Sequence, residues 1–396
     1  MASSTNKSTA TVFCKAMILL QLPLFATVFI FLKSRPATTC YNSIISFGDS
    51  IADTGNYLVD FGEKAGPVGH PPYGKTYFRR PTGRFSDGRV IIDFIAQAMG
   101  LPLVPPYLVR TSKQDLRYGV NFAVAGVTAL DGKFFRDKGM VLTWPQYSLA
   151  TQIQWFKKLL PSLCSSKSDC ESFFSKSLVL MGEIGGNDYN HPFAQLKAID
   201  EIRTYVPSVV NITSWAINSL IELGAKTLVV PGIFPLGCVS AYLTVHQSGR
   251  REDYDPQTGC IKWLNEFSEY HNSLLQTELD RLRRLHPRIT IIYANYYDAA
   301  MDIYRHPLKY GFDAPLAACC GGGGPYNFNL TAMCGAREDT VCSDPSKHVC
   351  WDGMHLTDAA YEIIARGLLQ GSYASAPITQ ACLLLEPDVP QLQRVF

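Results

Sequence analysis

Excess charge of either sign is almost absent from this sequence. Its 396 residues include 36 Lys and Arg against 34 Asp and Glu, for a formal net charge of +2, and no run of like charges occurs. Proteins that bind nucleic acid through their surface field carry a clear positive excess, so no nucleic-acid partner is predicted. Low-complexity blocks and repeats at solenoid periods are missing too, while 47% hydrophobic residues suffice for one large core.

The spacings typical of metal and phosphate sites are also lacking. No Cys-x-x-Cys pair occurs, and the eight histidines form no ligand pattern with cysteine. The four glycines at 321–324 are followed by Pro325 rather than by the Lys-Ser or Lys-Thr of a phosphate-binding loop. The sequence therefore predicts neither a metal ion nor another cofactor.

An apolar segment near the N-terminus is typical of a signal peptide. Residues 16–32 are interrupted by only two polar residues and follow two lysines. We expect residues 1–39 to be a signal peptide and spacer, cleaved shortly before Cys40, which predicts secretion to the apoplast or a secretory lumen such as the vacuole. An uncleaved anchor is the alternative, although 17 apolar residues are short for a membrane span. No stable membrane partner is predicted.

Twelve cysteines and two Asn-x-Thr sequons, at Asn211 and Asn329, are consistent with export. Eleven of the cysteines follow the apolar segment, and this odd number leaves at least one thiol unpaired. The predicted disulfides are Cys164–Cys170, Cys238–Cys260 and two that join Cys319 and Cys320 to Cys334 and Cys342 in either order.

Apolar strands alternate with amphipathic helices along the chain. This alternation predicts an α/β fold with a mostly parallel sheet covered on both faces. The predicted strands are 43–47, 178–181, 227–231 and 289–293, and the predicted helices are 90–99, 206–223, 263–285 and 358–369.

Ser50 follows the first predicted strand, in the segment SIISFGDSIADTGN (43–56). The carboxyl edge of a parallel sheet is where chemistry gathers, but a serine becomes a nucleophile only beside an oriented base. The segment WDGMHLTDAAY (351–361) supplies one, because Asp352 can reach one imidazole nitrogen of His355 while the other faces Ser50. The alternative is an Asp352 that caps a turn and a surface His355.

Two further loops contain neutral hydrogen-bond donors. NFAVAG (121–126) ends at Gly126, whose N–H can approach a ligand without a Cβ in the way, and GEIGGNDYN (182–190) contains the amide of Asn187. Each is also explained by a tight turn after a strand. Asp49, Asp53, Asn56 and Asp188 are interpreted as such turn residues.

Taken together, these segments resemble the GDSL (SGNH) hydrolase family in its plant esterase/lipase branch. The resemblance rests on FGDSIADTGN, GRFSDGR, GVNFAVAGVTAL, GGNDYN, PLGC and WDGMHLT. It implies a three-layer α/β/α, flavodoxin-like fold, with one SGNH hydrolase domain over residues 40–372 and a tail over 373–396. It also implies that Ser50 is the nucleophile, His355 the base and Asp352 its orienting acid, with the N–H groups of Ser50 and Gly126 and the amide of Asn187 as the oxyanion hole.

The resemblance predicts a secreted esterase that hydrolyses small-molecule carboxylic esters through an acyl-enzyme. NFAVAGVTAL is most similar to small-metabolite esterases that act on acetylated alkaloids and phenolic choline esters, which favours acetyl or aromatic acyl esters. The alternatives are an acyltransferase, a polysaccharide acetylesterase, a metal-dependent phosphoesterase and a non-catalytic binding module. No oligomeric state is predicted.

The chain departs from this branch at Cys350, where relatives usually have a polar residue. Cys350 is therefore the first candidate for the unpaired thiol, with Cys382 as the alternative. A disulfide at Cys350 would tether the loop that contains Asp352 and His355.

Overall fold

A five-stranded sheet forms the centre of the computed structural model, which describes residues 41–109, 116–336 and 341–379. Its strands are β1 (Ser43–Ser46), β2 (Gly119–Asn121), β3 (Ser177–Leu180), β4 (Thr227–Pro231) and β5 (Thr290–Ala294). Their order is β2-β1-β3-β4-β5, and every pairing is parallel. This is the strand order of flavodoxin-like sheets.

Twelve α-helices connect and cover the strands in the described part of the chain. They are α1 (Asn56–Phe61), α2 (Ile91–Ala98), α3 (Gly132–Asp137), α4 (Leu149–Leu163), α5 (Lys167–Ser175), α6 (Gly186–Ala194), α7 (Ile199–Arg203), α8 (Val206–Glu222), α9 (Ser240–Val245), α10 (Lys262–Leu285), α11 (Tyr296–Arg305) and α12 (Asp358–Gln370).

Apolar residues on both faces of the strands bury the sheet between two layers of helices. Successive side chains of a strand point to opposite faces, so Ile45 joins one core, which contains residues of α4, α8 and α10, while Ile44 joins the other, with residues of α2, α11 and α12. Val179 and Leu178 of β3 divide in the same way. The predicted three-layer α/β/α fold is therefore confirmed.

The predicted elements agree with the structure to within a residue or two at each end, but several were missed. The strand over 227–231 has the predicted bounds, and β5 begins one residue later than predicted. Among the missed elements, β2 matters most for the site because it ends at Asn121, immediately before the loop that leads to Gly126.

The four disulfides observed in the described residues agree with the predicted pairs. Cys164–Cys170 and Cys238–Cys260 are confirmed, and the open order is resolved as Cys319–Cys342 and Cys320–Cys334. Cys350 is buried with a free thiol, as its departure from the branch pattern indicated. Cys40 and Cys382 lie outside the described residues, as does the predicted signal peptide.

Residues 373–379, at the start of the predicted tail, pack against the edge of the sheet. The N–H of Asn295 donates to the Tyr373 carbonyl and that of Ser375 donates to Tyr293, while Ile378 is fully buried. None of the helices in the described segments is long and apolar enough to cross a membrane.

Candidate active site

The topology places three loops at one edge of the sheet. Because β1 pairs with β2 on one side and β3 on the other, the loops that follow these strands leave the sheet side by side. The loops after β1 and β2 contain Ser50 and Gly126, and the loop after β3 leads into α6, whose second residue is Asn187. The chain passes from β1 to β2 on one side of it and then crosses to β3 on the other side. In doubly wound proteins this change of direction opens the crevice in which ligands bind.

Ser50, His355 and Asp352 form one continuous hydrogen-bonded chain. The Ser50 Oγ lies 2.9 Å from His355 Nε2, and His355 Nδ1 lies 2.8 Å from Asp352 Oδ2. Ser50 retains 8% exposure. The two segments are 305 residues apart in sequence, and the structure brings them together as the resemblance implied.

A tight turn orients the Asp352 carboxylate. Its Oδ1 accepts the N–H groups of Met354 and His355 at 3.0 and 2.9 Å, and its Oδ2 accepts the Tyr73 hydroxyl at 2.9 Å. Burial by itself raises the pKa of the Asp352 carboxyl, but the adjacent His355 and these hydrogen bonds outweigh it and hold that pKa below its usual range. Asp352 is therefore ionised, and it holds a proton on Nδ1 of His355.

The Ser50 loop is held by carboxylates that accept backbone N–H groups. Asp49 Oδ1 accepts the Ile51 N–H at 3.0 Å. Asp53 accepts four such groups, three from residues 55–57 and the fourth from Ala125 at 2.9 Å. Both are thus turn residues, as predicted, and Asp53 in addition ties the Ser50 loop to the Gly126 loop.

Two backbone donors at the site have no acceptor among the described residues. The N–H groups of Ser50 and Gly126 make no hydrogen bond there, and Gly126 has a left-handed φ of 77°, which favours glycine. The Asn187 side chain is the third predicted donor. Its Nδ2 donates to Asp49 Oδ2 and to the Val127 carbonyl, both at 3.1 Å.

Glu183 is a buried acid beside the site that the sequence interpretation missed. Its Oε1 accepts the Gly186 N–H at 3.1 Å, and its own carbonyl accepts the Asp49 N–H at 3.0 Å. Burial, followed by the charge of Glu183, raises the pKa of Asp49 well above its usual range. Burial of two acids side by side therefore disfavours the state in which both are ionised. The signal for Glu183 in the sequence was an acid between an apolar strand and two glycines.

The aromatic residues of the loop after Ser50 have separate roles. The Phe85 ring lies 4.7 Å from the His355 ring and forms one wall of the site. Tyr73 is buried against Asp352 rather than lining a pocket. Tyr77 and Phe78 stack on the guanidinium groups of Arg89 and Arg84.

The GRFSDGR segment fastens the loop after Ser50 to the helix that follows His355. Arg84 forms a buried ion pair with Asp93 at 2.7 Å. Arg89 pairs with Asp358 at 2.9 Å, at the first residue of α12. Thr357 caps this helix by accepting the Ala360 N–H.

Known proteins are similar to this chain over most of its length. The family model described as GDSL-like Lipase/Acylhydrolase matches residues 44–368. The chain belongs to this family. It is 54% identical to a GDSL esterase/lipase of Arabidopsis thaliana over 345 residues, which is 87% of each chain. It is 50% identical to sinapine esterase of Brassica napus over 359 residues, or 89% of this chain and 91% of that one.

Membership of the GDSL-like lipase/acylhydrolase family makes the chain a carboxylic ester hydrolase of the esterase/lipase class. In the segments that the structure describes, no group of three or more His, Cys, Asp or Glu side chains is arranged to hold a metal ion. The sequon residues Asn211 and Asn329 are both exposed.

The depressed pKa of Asp352 generates a pH-dependent stability prediction. A carboxyl whose pKa falls on folding stabilises the protein only while it is ionised. We expect the excess in unfolding free energy of the wild type over Asp352→Asn to be largest above about pH 5 and to shrink as the pH falls. Denaturant unfolding over a pH series measures it, with Asp200→Asn on exposed α7 as the control. A difference that grows on acidification would contradict the assignment.

Proposed function

We propose that this GDSL-family protein hydrolyses carboxylic esters through an acyl-enzyme formed on Ser50. The observation that supports this most directly is the unbroken chain from Ser50 Oγ through both nitrogens of His355 to Asp352. A hydroxyl becomes an effective nucleophile when a base that is itself oriented by a third group accepts its proton. The hydrogen-bonded side chains of Ser50, His355 and Asp352 stand in that order.

In the first half of the reaction, His355 Nε2 takes the Ser50 proton as Oγ attacks the ester carbonyl carbon. The ionised Asp352 stabilises the imidazolium that results. When the carbon–oxygen bond to the alcohol breaks, His355 gives its proton to the departing alcohol. In the second half His355 takes a proton from water, the hydroxide attacks the acyl carbon, and the Ser50 oxygen leaves and is reprotonated. The products are an acid and an alcohol.

Charge that develops on the carbonyl oxygen meets three donors in this mechanism. The N–H groups of Ser50 and Gly126 lack protein acceptors, so they can bind the oxyanion without breaking an existing hydrogen bond. The Asn187 amide differs, because its two hydrogens contact Asp49 and Val127 in the free protein. We infer that one of these hydrogens is shared with the oxyanion during turnover.

For the substrate, we infer acetyl or aromatic acyl esters of small metabolites. The name of the sinapine esterase relative, at 50% identity, supports this class. The Phe85 ring adds support, because it gives an acyl or alcohol group beside His355 an aromatic surface on which to pack.

We further infer that the protein is secreted and glycosylated at Asn211 and Asn329. The signal-like segment 16–32 supports export. The four disulfides of the described residues support an oxidising compartment such as the apoplast or the lumen of the secretory pathway.

Ser50→Ala is expected to abolish ester turnover and labelling by a fluorophosphonate probe, with the thermal unfolding midpoint unchanged. Acetyl, aromatic acyl, long-chain and acetylated polysaccharide esters serve as substrates, and peptide mass spectrometry locates the label. Ser46→Ala removes a buried hydroxyl from the strand just before the site and is the matched control. Full turnover by Ser50→Ala would refute the assignment.

The same assays separate the alternative functions. A new ester formed in the presence of an added acceptor alcohol identifies an acyltransferase. Activity that survives chelation excludes a metal-dependent phosphoesterase, and a folded wild-type protein that takes no label is a binding module.

Asn187→Ala is expected to lower kcat by about a hundredfold or more, because one donor to the oxyanion is lost. Steady-state kinetics on the best ester measures the effect. Asn218→Ala, on α8, removes an amide that donates to the Ser214 carbonyl away from the site, and is the control. An unchanged kcat in Asn187→Ala would leave the amide with a turn-stabilising role only.

Secretion predicts a mature N-terminus shortly before Cys40. Expression of the full chain in a eukaryotic host, followed by N-terminal sequencing of protein from the medium, measures it. A charge placed in the apolar segment, as in Leu19→Arg, is expected to retain the protein inside the cell. An intact Met1 on the exported protein would contradict cleavage.

A further inference from the structure

Hydrogen bonds hold the peptide groups on both sides of Gly126 but leave the Gly126 N–H free to face the site. The Ala125 N–H donates to Asp53 Oδ2 at 2.9 Å, and the Val127 carbonyl accepts from Asn187 at 3.1 Å. The Gly126 N–H alone among these groups makes no hydrogen bond to the described residues. Because glycine has the most backbone freedom of any residue, its N–H keeps one direction only if neighbouring groups are held.

His191 holds the carbonyl of Gly126 itself. It lies on α6, four residues after Asn187, and its Nε2 is 2.8 Å from the Gly126 carbonyl oxygen. A carbonyl oxygen can only accept, so Nε2 must be the nitrogen that donates a proton. Burial lowers the pKa of His191 to about 4, which keeps the ring neutral near neutral pH.

The ring of His191 is fixed from its other side by Trp144. The two rings are stacked at 3.9 Å with an interplanar angle of 8°. The next residue, Pro145, packs on Gly126 so closely that an added Cβ would lie 3.2 Å from its Cδ. Gly126 is thus enclosed by Pro145 on one side and held by His191 through its carbonyl.

We propose that His191 is a positioning residue, which orients the Gly126 N–H toward the oxyanion by donating a hydrogen bond to the Gly126 carbonyl. This role rests on the proposed function of the same site. It makes α6 the common support of the oxyanion hole, since Asn187 supplies one donor from the first turn of the helix and His191 fixes another from the second.

A histidine that merely fills space would behave differently. Packing against Trp144 needs a flat ring but no N–H, whereas the positioning role needs the N–H and not the ring. His191→Phe keeps the ring and removes the donor. His191→Gln removes the ring, but its amide nitrogen reaches about as far as Nε2 and can donate to the same carbonyl.

His246 offers a matched control elsewhere in the molecule. Its ring also packs on aromatic side chains, with centroids 5.4 Å from Trp263, 5.8 Å from Tyr242 and 5.9 Å from Phe193. Its Nε2 is buried and has no hydrogen-bond partner in the described residues. His246→Phe therefore makes the same chemical change without removing a hydrogen bond of Nε2.

The experiment compares kcat, KM and thermal unfolding for the wild type, the three histidine variants and Ser50→Ala. We expect His191→Phe to lower kcat by about tenfold to a hundredfold, since a small misplacement of a catalytic group costs up to about that much. KM should change little, because the lost interaction is made in the transition state. His191→Gln should be faster than His191→Phe, and His246→Phe should match the wild type.

A trifluoromethyl ketone supplies a second readout, because its adduct with a serine places an oxyanion in the same hole. Its inhibition constant should rise in His191→Phe by the same factor as kcat/KM falls. Wild-type kcat in His191→Phe, or a His191→Gln slower than His191→Phe, would overturn the positioning role while Ser50-dependent turnover still stands. Turnover that persists in Ser50→Ala would instead overturn the proposed function.

Discussion

The parallel pairing of β1 with both β2 and β3 is the constraint on which the site depends. It brings the loops of Ser50, Gly126 and Asn187 to one edge of the sheet, although they are far apart in sequence. Strand pairing alone does not position the loops precisely enough for hydrogen bonds to form between them. Asp53 positions the Ser50 and Gly126 loops, because its carboxylate accepts N–H groups from both segments. The sheet thus brings the loops near one another, and hydrogen bonds to buried carboxylates fix their relative positions.

Most of the buried acids around the site hold loops together and take no part in the chemistry; Asp352 does both. An unpaired ionised carboxylate is costly to bury, and hydrogen bonds from backbone N–H groups offset part of that cost. Asp188 accepts the N–H groups of Ala129 and Leu130 and so holds the segment just beyond Gly126. Asp352 accepts backbone N–H groups and also orients His355, whose charge lowers the pKa of Asp352, whereas burial and the charge of Glu183 raise the pKa of Asp49.

The sequence was most informative where a function is encoded within a few residues. The turn from Asp352 to His355 could be predicted because both partners and the helix cap lie within one short segment. β2 was missed because it has three residues and begins with Gly119, which gives no apolar period to detect. The contacts of Glu183 with Asp49 and of His191 with Gly126 join distant segments, so no local pattern indicated them, and the pairing of the loops came from the family resemblance.

The disulfides support the segment before Asp352 through backbone hydrogen bonds and not through a bond to Cys350. The N–H groups of Cys319 and Cys320 donate to the carbonyls of Cys350 and Trp351, at 2.9 and 2.7 Å. Both donors belong to cysteines that are crosslinked, to Cys342 and Cys334. The segment that leads into Asp352 is therefore hydrogen-bonded to a doubly crosslinked segment, and a tether at Cys350 would add little. Its thiol instead accepts the Gly353 N–H at 3.2 Å, inside the turn that presents His355 to Ser50.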